Sequence, residues 1–135
     1  MPAGYSGTPL PKKLGVKRGL RVQLTDAPPE VRLELKTELG ACEIVSDGKH
    51  PLDFAMFFTK SKGALAKEFK RITKLPAPAG IFWVSWPKKS SGVATDLDEN
   101  IVREIGLTAG LVDVKVCAVT EVWSGLKFVR RVKDR

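Results

Sequence analysis

Two lysine-serine stretches in the middle of the chain have the residue types that hold anions. Thr59-Lys60-Ser61-Lys62-Gly63 follows an apolar run and opens a segment in which Leu65, Phe69 and Ile72 recur at helical spacing, and the first acid after it is Glu68. A helix starting at Ser61 would present free backbone N–H groups and a positive dipole end with no acid to neutralise them, and two adjacent lysines would suit a phosphate or carboxylate. Lys88-Lys89-Ser90-Ser91-Gly92 ends a second apolar run. The helix expected after it begins with Asp96, Asp98 and Glu99, which would repel an anion, so the anion belongs over Lys60 with Lys88 and Lys89 reaching across. The same lysines could instead pair with Asp96 and Asp98, and the sequence does not separate these readings. The candidate ligand-binding residues are therefore Thr59, Lys60, Ser61, Lys62, Gly63, Lys88, Lys89, Ser90 and Ser91, with no catalytic residue and no metal ligand among them.

Other chemistries lack their parts. His50 is the only histidine, sits beside Pro51 and has no serine or acidic partner at a motif spacing, which argues against a Ser-His-Asp apparatus. Cys42 and Cys117 form no C-x-x-C pair and read as small buried hydrophobes in a reducing compartment, not as a disulfide or zinc site. No P-loop, G-x-S-x-G or G-x-G-x-x-G occurs. Asp47 could bind a ribose, but as part of Asp47-Gly48 it reads as a turn residue. Trp83 reads as core, whereas Trp86 and Trp123, at strand ends, are expected to be partly exposed.

The elements that must position the two loops follow from periodicity. Leu52 to Thr59 and Ile81 to Trp86 are near-continuous apolar runs, as in strands covered on both faces. Arg21 to Thr25 alternates as a first strand, and Asp26 is expected to cap a helix with Val31, Leu35 and Leu39 as its buried stripe. Cys42 to Val45 is a short second strand. The few residues between it and the third strand cannot return the full length of a strand, so it is either very short or an antiparallel edge. Asp96 and Glu99 have capping-box spacing ahead of Leu97, Ile101 and Ile105. Val112, Val114, Val116 and Ala118 mark a strand with one better-buried face, and Trp123-Ser124-Gly125 a tight turn into its antiparallel partner, Leu126 to Val132. Residues 6–15 read as a helical turn capped by Ser6 or Thr8, stopped by Gly15 and packed across the sheet. The expectation is a single α/β domain over residues 1–135, a Rossmann-like three-layer sandwich. Its mostly parallel sheet has an antiparallel C-terminal hairpin, an N-terminal helical arm (1–19), and a C-terminal strand and basic tail (126–135).

LDFAMFFTKS and KLPAPAGIFWVSWPK resemble the fourth strand, helix and fifth strand of class I S-adenosylmethionine methyltransferases. That resemblance implies a Rossmann-like core, a cofactor and a transferase. Where those enzymes carry a glycine-rich loop after the first strand, this chain reads Leu24-Thr25-Asp26-Ala27-Pro28-Pro29, and two prolines offer neither close backbone approach nor N–H donors. GYSGTPLPKKLGVKRG, WPKKSSGVATDLDENIVRE and GLVDVKVCAVTEVWSGLKFVRR together resemble a small bacterial domain-of-unknown-function family, which implies no activity or cofactor.

Charge is concentrated at the ends. Residues 1–21 hold five basic residues and no acid, and residues 127–135 hold five against Asp134 alone. The remaining 13 basic and 14 acidic residues nearly cancel within a net charge of +8. These ends are either solvated tails or a phosphate-attracting patch. No stretch has the apolar length of a membrane span or a secretory leader, so a cytoplasmic setting is expected. The leading reading is a non-catalytic cytoplasmic module that binds an anionic small molecule or acidic partner through the Lys60 and Lys88 loops, with no cofactor. A divergent methyltransferase-like transferase is the alternative, and a weak nucleic-acid binder using the basic termini is third.

Overall fold

The structure, a computed structural model, describes residues 8–46, 51–74 and 80–134. Arg21–Thr25 (β1), Glu43–Ile44 (β2), Phe54–Phe58 (β3), Ile81–Pro87 (β4), Leu111–Ala118 (β5) and Trp123–Arg130 (β6) form a six-stranded sheet in the order β2-β1-β3-β4-β6-β5. The first four in that order are parallel, and β6 is inserted antiparallel between β4 and β5. The helices are Leu10–Leu14 (α1), Pro29–Glu34 (α2), Lys36–Leu39 (α3), Lys62–Ile72 (α4) and Glu99–Thr108 (α5). This is the expected Rossmann-like three-layer α/β architecture.

Both faces of the central strands are covered, which is why β3 and β4 read as apolar runs without alternation. On one face Leu65, Phe69 and Ile72 of α4 and Val102 of α5 pack on Phe82, Leu126 and Phe128. The Phe69 ring stands edge-on to Phe82 and Phe128 at 5.1 and 5.2 Å, a favoured aromatic geometry. On the other face Leu10 and Leu14 of α1 and Val31 and Leu35 of the α2–α3 segment pack on Phe54, Met56 and Trp83. The Trp83 indole N–H donates to the Leu14 carbonyl at 2.8 Å, so the N-terminal arm lies across the sheet as expected. Gly15 closes α1 in the left-handed region at φ 87°.

Several local readings need correction. The helix after β1 is capped by Pro28, not Asp26, and breaks at Leu35 into two short pieces, leaving Leu39 only partly buried. β2 is parallel and two residues long, which resolves the return-path difficulty in favour of a very short strand. Asp98 rather than Asp96 caps α5, accepting from Ile101 N at 2.8 Å. Trp86 is buried rather than partly exposed. The hairpin turn lies before Trp123, where the Thr120 hydroxyl accepts from the Val122 and Trp123 N–H groups and Trp123 is already in the strand. Val114 and Val116 are exposed because a bulge between Asp113 and Lys115 disturbs the alternation on this edge strand. Cys42 and Cys117 are free thiols but only partly buried, and burial pushes the Cys117 thiol up despite nearby Lys13 and Lys115. Pro9, not Thr8, stands at the cap of α1, while Ser6, Asp47, Gly48 and His50 lie outside the described residues.

β1 and β3 are clamped by one ion pair. The Arg21 guanidinium meets both Asp53 oxygens at 3.1 Å and the Arg21 backbone N–H donates to the same carboxylate at 2.8 Å. The hydrogen bond from Arg21 holds the Asp53 carboxyl below its ordinary value. A depressed carboxyl contributes stability above its unfolded pKa, about 4, and that contribution is lost as pH falls through the lower folded value. Asp53→Asn is therefore expected to be less stable than the parent at pH 7, with the difference shrinking in strong acid. Urea midpoints across that range check it, and a pH-independent difference would show that the carboxylate charge contributes nothing.

Candidate functional site

β3 and β4 run in register from Phe54↔Ile81 to Phe58↔Ser85, so the Thr59–Gly63 and Lys88–Gly92 loops leave the sheet side by side at its carboxyl end. Ser61 caps α4 by accepting from Ala64 N at 3.3 Å, and the buried Thr59 hydroxyl accepts from Ser61 N at 3.2 Å. Lys89, Ser90 and Ser91 form a single 3-10 turn closed by the Ser91 hydroxyl donating to Lys88 O at 2.6 Å. Lys60, Lys62, Lys88 and Lys89 have no side-chain ion-pair partner among the described residues, so neither Asp96 nor Asp98 takes them.

The positive end of α4, however, is not uncompensated. Asp96 reaches back from the β4–α5 loop and accepts from Lys62 N at 2.8 Å, while Asp96 N and the Thr95 hydroxyl donate to Lys60 O at 3.3 and 2.8 Å. A carboxylate from this chain therefore occupies the place expected for an external anion, and binds the two loops to each other. No acid in the first turn of α4 could have revealed this, because the neutralising group comes from 34 residues further on.

A second depression lies at the same pole of the sheet, beside β1 and β2. It is a groove of about 700 Å³ lined by residues that include Leu24, Thr25, Asp26, Arg32, Leu39 and Ser46. It adjoins the point where the strand order reverses, with β2 on one side of β1 and β3 on the other, the position at which open α/β sheets bind ligands. Asp26 makes the turn out of β1 at φ 59°, the only described non-glycine residue in the left-handed region. Aspartate is one of the few side chains that tolerate this conformation, so it supplies the turn that a glycine would otherwise make. Asp26 and Arg32 are exposed and have no hydrogen-bond or ion-pair partner among the described residues. None of the lysine-loop candidates lines this groove. Sequence reasoning dismissed the segment for lacking glycine, although an aspartate directly after a strand was the available signal.

No family model matches the chain and no curated protein matches it in sequence, so the resemblance to a bacterial family of unknown function finds no support. Solved structures do match. A SAM-dependent methyltransferase from Aquifex aeolicus superposes with a TM-score of 0.57 at 16% identity, over 87% of this chain and 85% of that one. A TehB-like SAM-dependent methyltransferase from Corynebacterium glutamicum gives 0.56 at 11% identity over 96% and 91%. Aeropyrum pernix fibrillarin with natively bound S-adenosyl-L-methionine gives 0.55 at 12% identity over 93% and 70%. At these identities the likeness is one of fold. The chain has the Rossmann-like fold of SAM-dependent methyltransferases, with β6 inserted antiparallel beside β4.

Proposed function

We propose that this chain is a divergent methyltransferase-like protein that holds S-adenosylmethionine in the groove beside β1 and β2. The observation that supports this reading over a non-catalytic anion-binding module is the superposition of nearly the whole chain on structures of SAM-dependent methyltransferases, together with a strand reversal beside β1 that sets a groove at the carboxyl end of the sheet. The residues present fit the ligand through side chains rather than through a glycine-rich backbone. Asp26 and Arg32 offer opposite charges to the ammonium and carboxylate of its methionyl part, and Leu24, Leu39 and Ile44 offer apolar surface to its base. When bound, the ligand supplies an electrophilic methyl group on a sulfonium. The protein's part would be to hold a nucleophilic acceptor in line with that methyl group.

A thermal-shift titration tests this, because a ligand selective for the native state raises the melting temperature by mass action. S-adenosylmethionine and S-adenosylhomocysteine are expected to raise it saturably, and Asp26→Ala is expected to remove most of the effect. No shift at about millimolar ligand, where a Kd near 1 mM would still register, overturns the reading. Sulfate is the comparison arm for the second proposal, anion binding by the adjacent Lys60 and Lys88 loops. A stabilisation beyond that of chloride that disappears in Lys60→Ala with Lys88→Ala would favour it, with Asp96 displaced from Lys62 N.

A further inference from the structure

The two basic chain ends, more than a hundred residues apart in sequence, lie at the same pole of the sheet. β1, β3 and β4 start there, at Arg21, Phe54 and Ile81. β6 runs the other way, with Phe82↔Phe128, so it ends at that same pole with Arg130 followed by Arg131 and Lys133. Arg130 donates to the Thr73 carbonyl at 3.1 Å, which fixes this end against the last turn of α4. The N-terminal arm arrives from the other side. A Cβ at Gly15 would lie 3.4 Å from Ile81 Cδ1, so residues 16–20 cross from the start of β4 to the start of β1 and carry Lys17 and Arg18 over the pole.

Between this segment, α1 and α3 lies a groove of about 630 Å³, separated from the one beside β1 and β2 by residues 37–41, of which Thr37, Glu38 and Ala41 line this groove and Leu39 and Gly40 the other. Lys12, Lys17 and Arg18 line it with Glu38 as the one acid, and its remaining walls are small, apolar or hydroxyl-bearing. All three cations are exposed, and none of their side chains has a hydrogen-bond or ion-pair partner among the described residues. The segment is rigidly held: Gly19 N donates to Ala41 O at 2.7 Å and the Cys42 thiol to Lys17 O at 3.0 Å. The cations therefore project from anchored backbone positions, unlike those on a solvated tail.

We propose that this pole is a docking surface for the phosphate backbone of a nucleic acid, with Lys12, Lys17 and Arg18 in the groove and Lys133 extending the track beside Arg131, which is held in an ion pair with Asp134 at 2.7 Å. Concavity decides between polyanions. A flat anionic membrane reaches a convex surface, whereas a single phosphodiester strand can enter a groove and set several charges on it in succession. The two grooves have no lining residue in common, and the inference does not rest on the cofactor reading.

The test is fluorescence anisotropy of the full chain with a labelled strand of about 20 nucleotides, single or in duplex, over roughly 50 to 200 mM salt. Binding is expected to fall steeply with salt, by about 0.7 to 0.9 log units per log unit of salt for each phosphate neutralised. Lys17→Glu with Arg18→Glu should weaken it at least about tenfold and flatten that slope. Lys67→Glu with Lys70→Glu, on the exposed side of α4 across the sheet, changes net charge equally and should have little effect. Equal losses from both pairs, absence of binding at the lowest salt, or stronger pole-dependent binding to phosphatidylserine vesicles would each overturn the proposal.

Discussion

Truncation of Trp83 to alanine is expected to lower stability by about 3–5 kcal/mol, a large part of the roughly 5–15 kcal/mol that holds a domain of this size. Trp83 is fully buried in the middle of β4, between Met56 of β3 and Lys127 of β6. The loss has two sources. Removing the ring leaves a cavity that the flanking strands cannot collapse into without breaking their ladders, and removing the indole N–H strips the Leu14 carbonyl of its donor. Trp83→Phe separates them, since it keeps most of the ring volume and loses the donor. That variant should cost about 1–3 kcal/mol and raise amide exchange in α1 first. Denaturant midpoints and exchange rates provide the check. A phenylalanine variant as stable as the parent, with α1 still protected, would mean that the bond to Leu14 does not hold the arm.

Gly106→Ala should destabilise by on the order of 2 kcal/mol, although alanine is ordinarily worth about 1 kcal/mol more than glycine within a helix. Gly106 lies in α5 where the helix presses on β6, and a methyl group there would overlap the Phe128 ring. Phe128 cannot give way easily because it is fully buried and stands against Phe69, which in turn stands against Phe82. The two effects have opposite signs, so the melting temperature alone decides. A rise on substitution would show that α5 sits further from the sheet than the Gly106–Phe128 contact requires.

The strands were legible in the sequence because burial dictated their composition. Phe54–Phe58 and Ile81–Pro87 have helices over both faces, and an apolar run without alternation is what that environment demands. α4 was equally legible, since Leu65, Phe69 and Ile72 are its buried residues and Ser61 is its cap. What escaped reading was contact between distant segments. Asp96 looked like the start of its own helix, yet its carboxylate serves Lys62 N and Asp98 takes the capping position. The groove beside β1 was missed because glycine was taken as the requirement for a left-handed turn that Asp26 makes. The lysine loops were adjacent as expected, but adjacency alone did not show that a carboxylate of the chain lies between them.

The two edges of the sheet differ in how they meet neighbouring molecules at high concentration. Unpaired strand edges invite further strands to add on, and a row of exposed valines would ordinarily make β5 the stickier side. At β2 the edge is only two residues long, too brief to template an incoming strand even though Ile44 is exposed. At β5 the edge runs for eight residues, and the bulge between Asp113 and Lys115 interrupts the flat repeat that a stacking partner would have to match. Lys115 stands between Val114 and Val116 and is tied to the Lys13 carbonyl at 3.3 Å. The described sheet therefore ends in a two-residue strand on one side and in an irregular, lysine-bearing strand on the other, and both features disfavour strand addition by a neighbouring molecule.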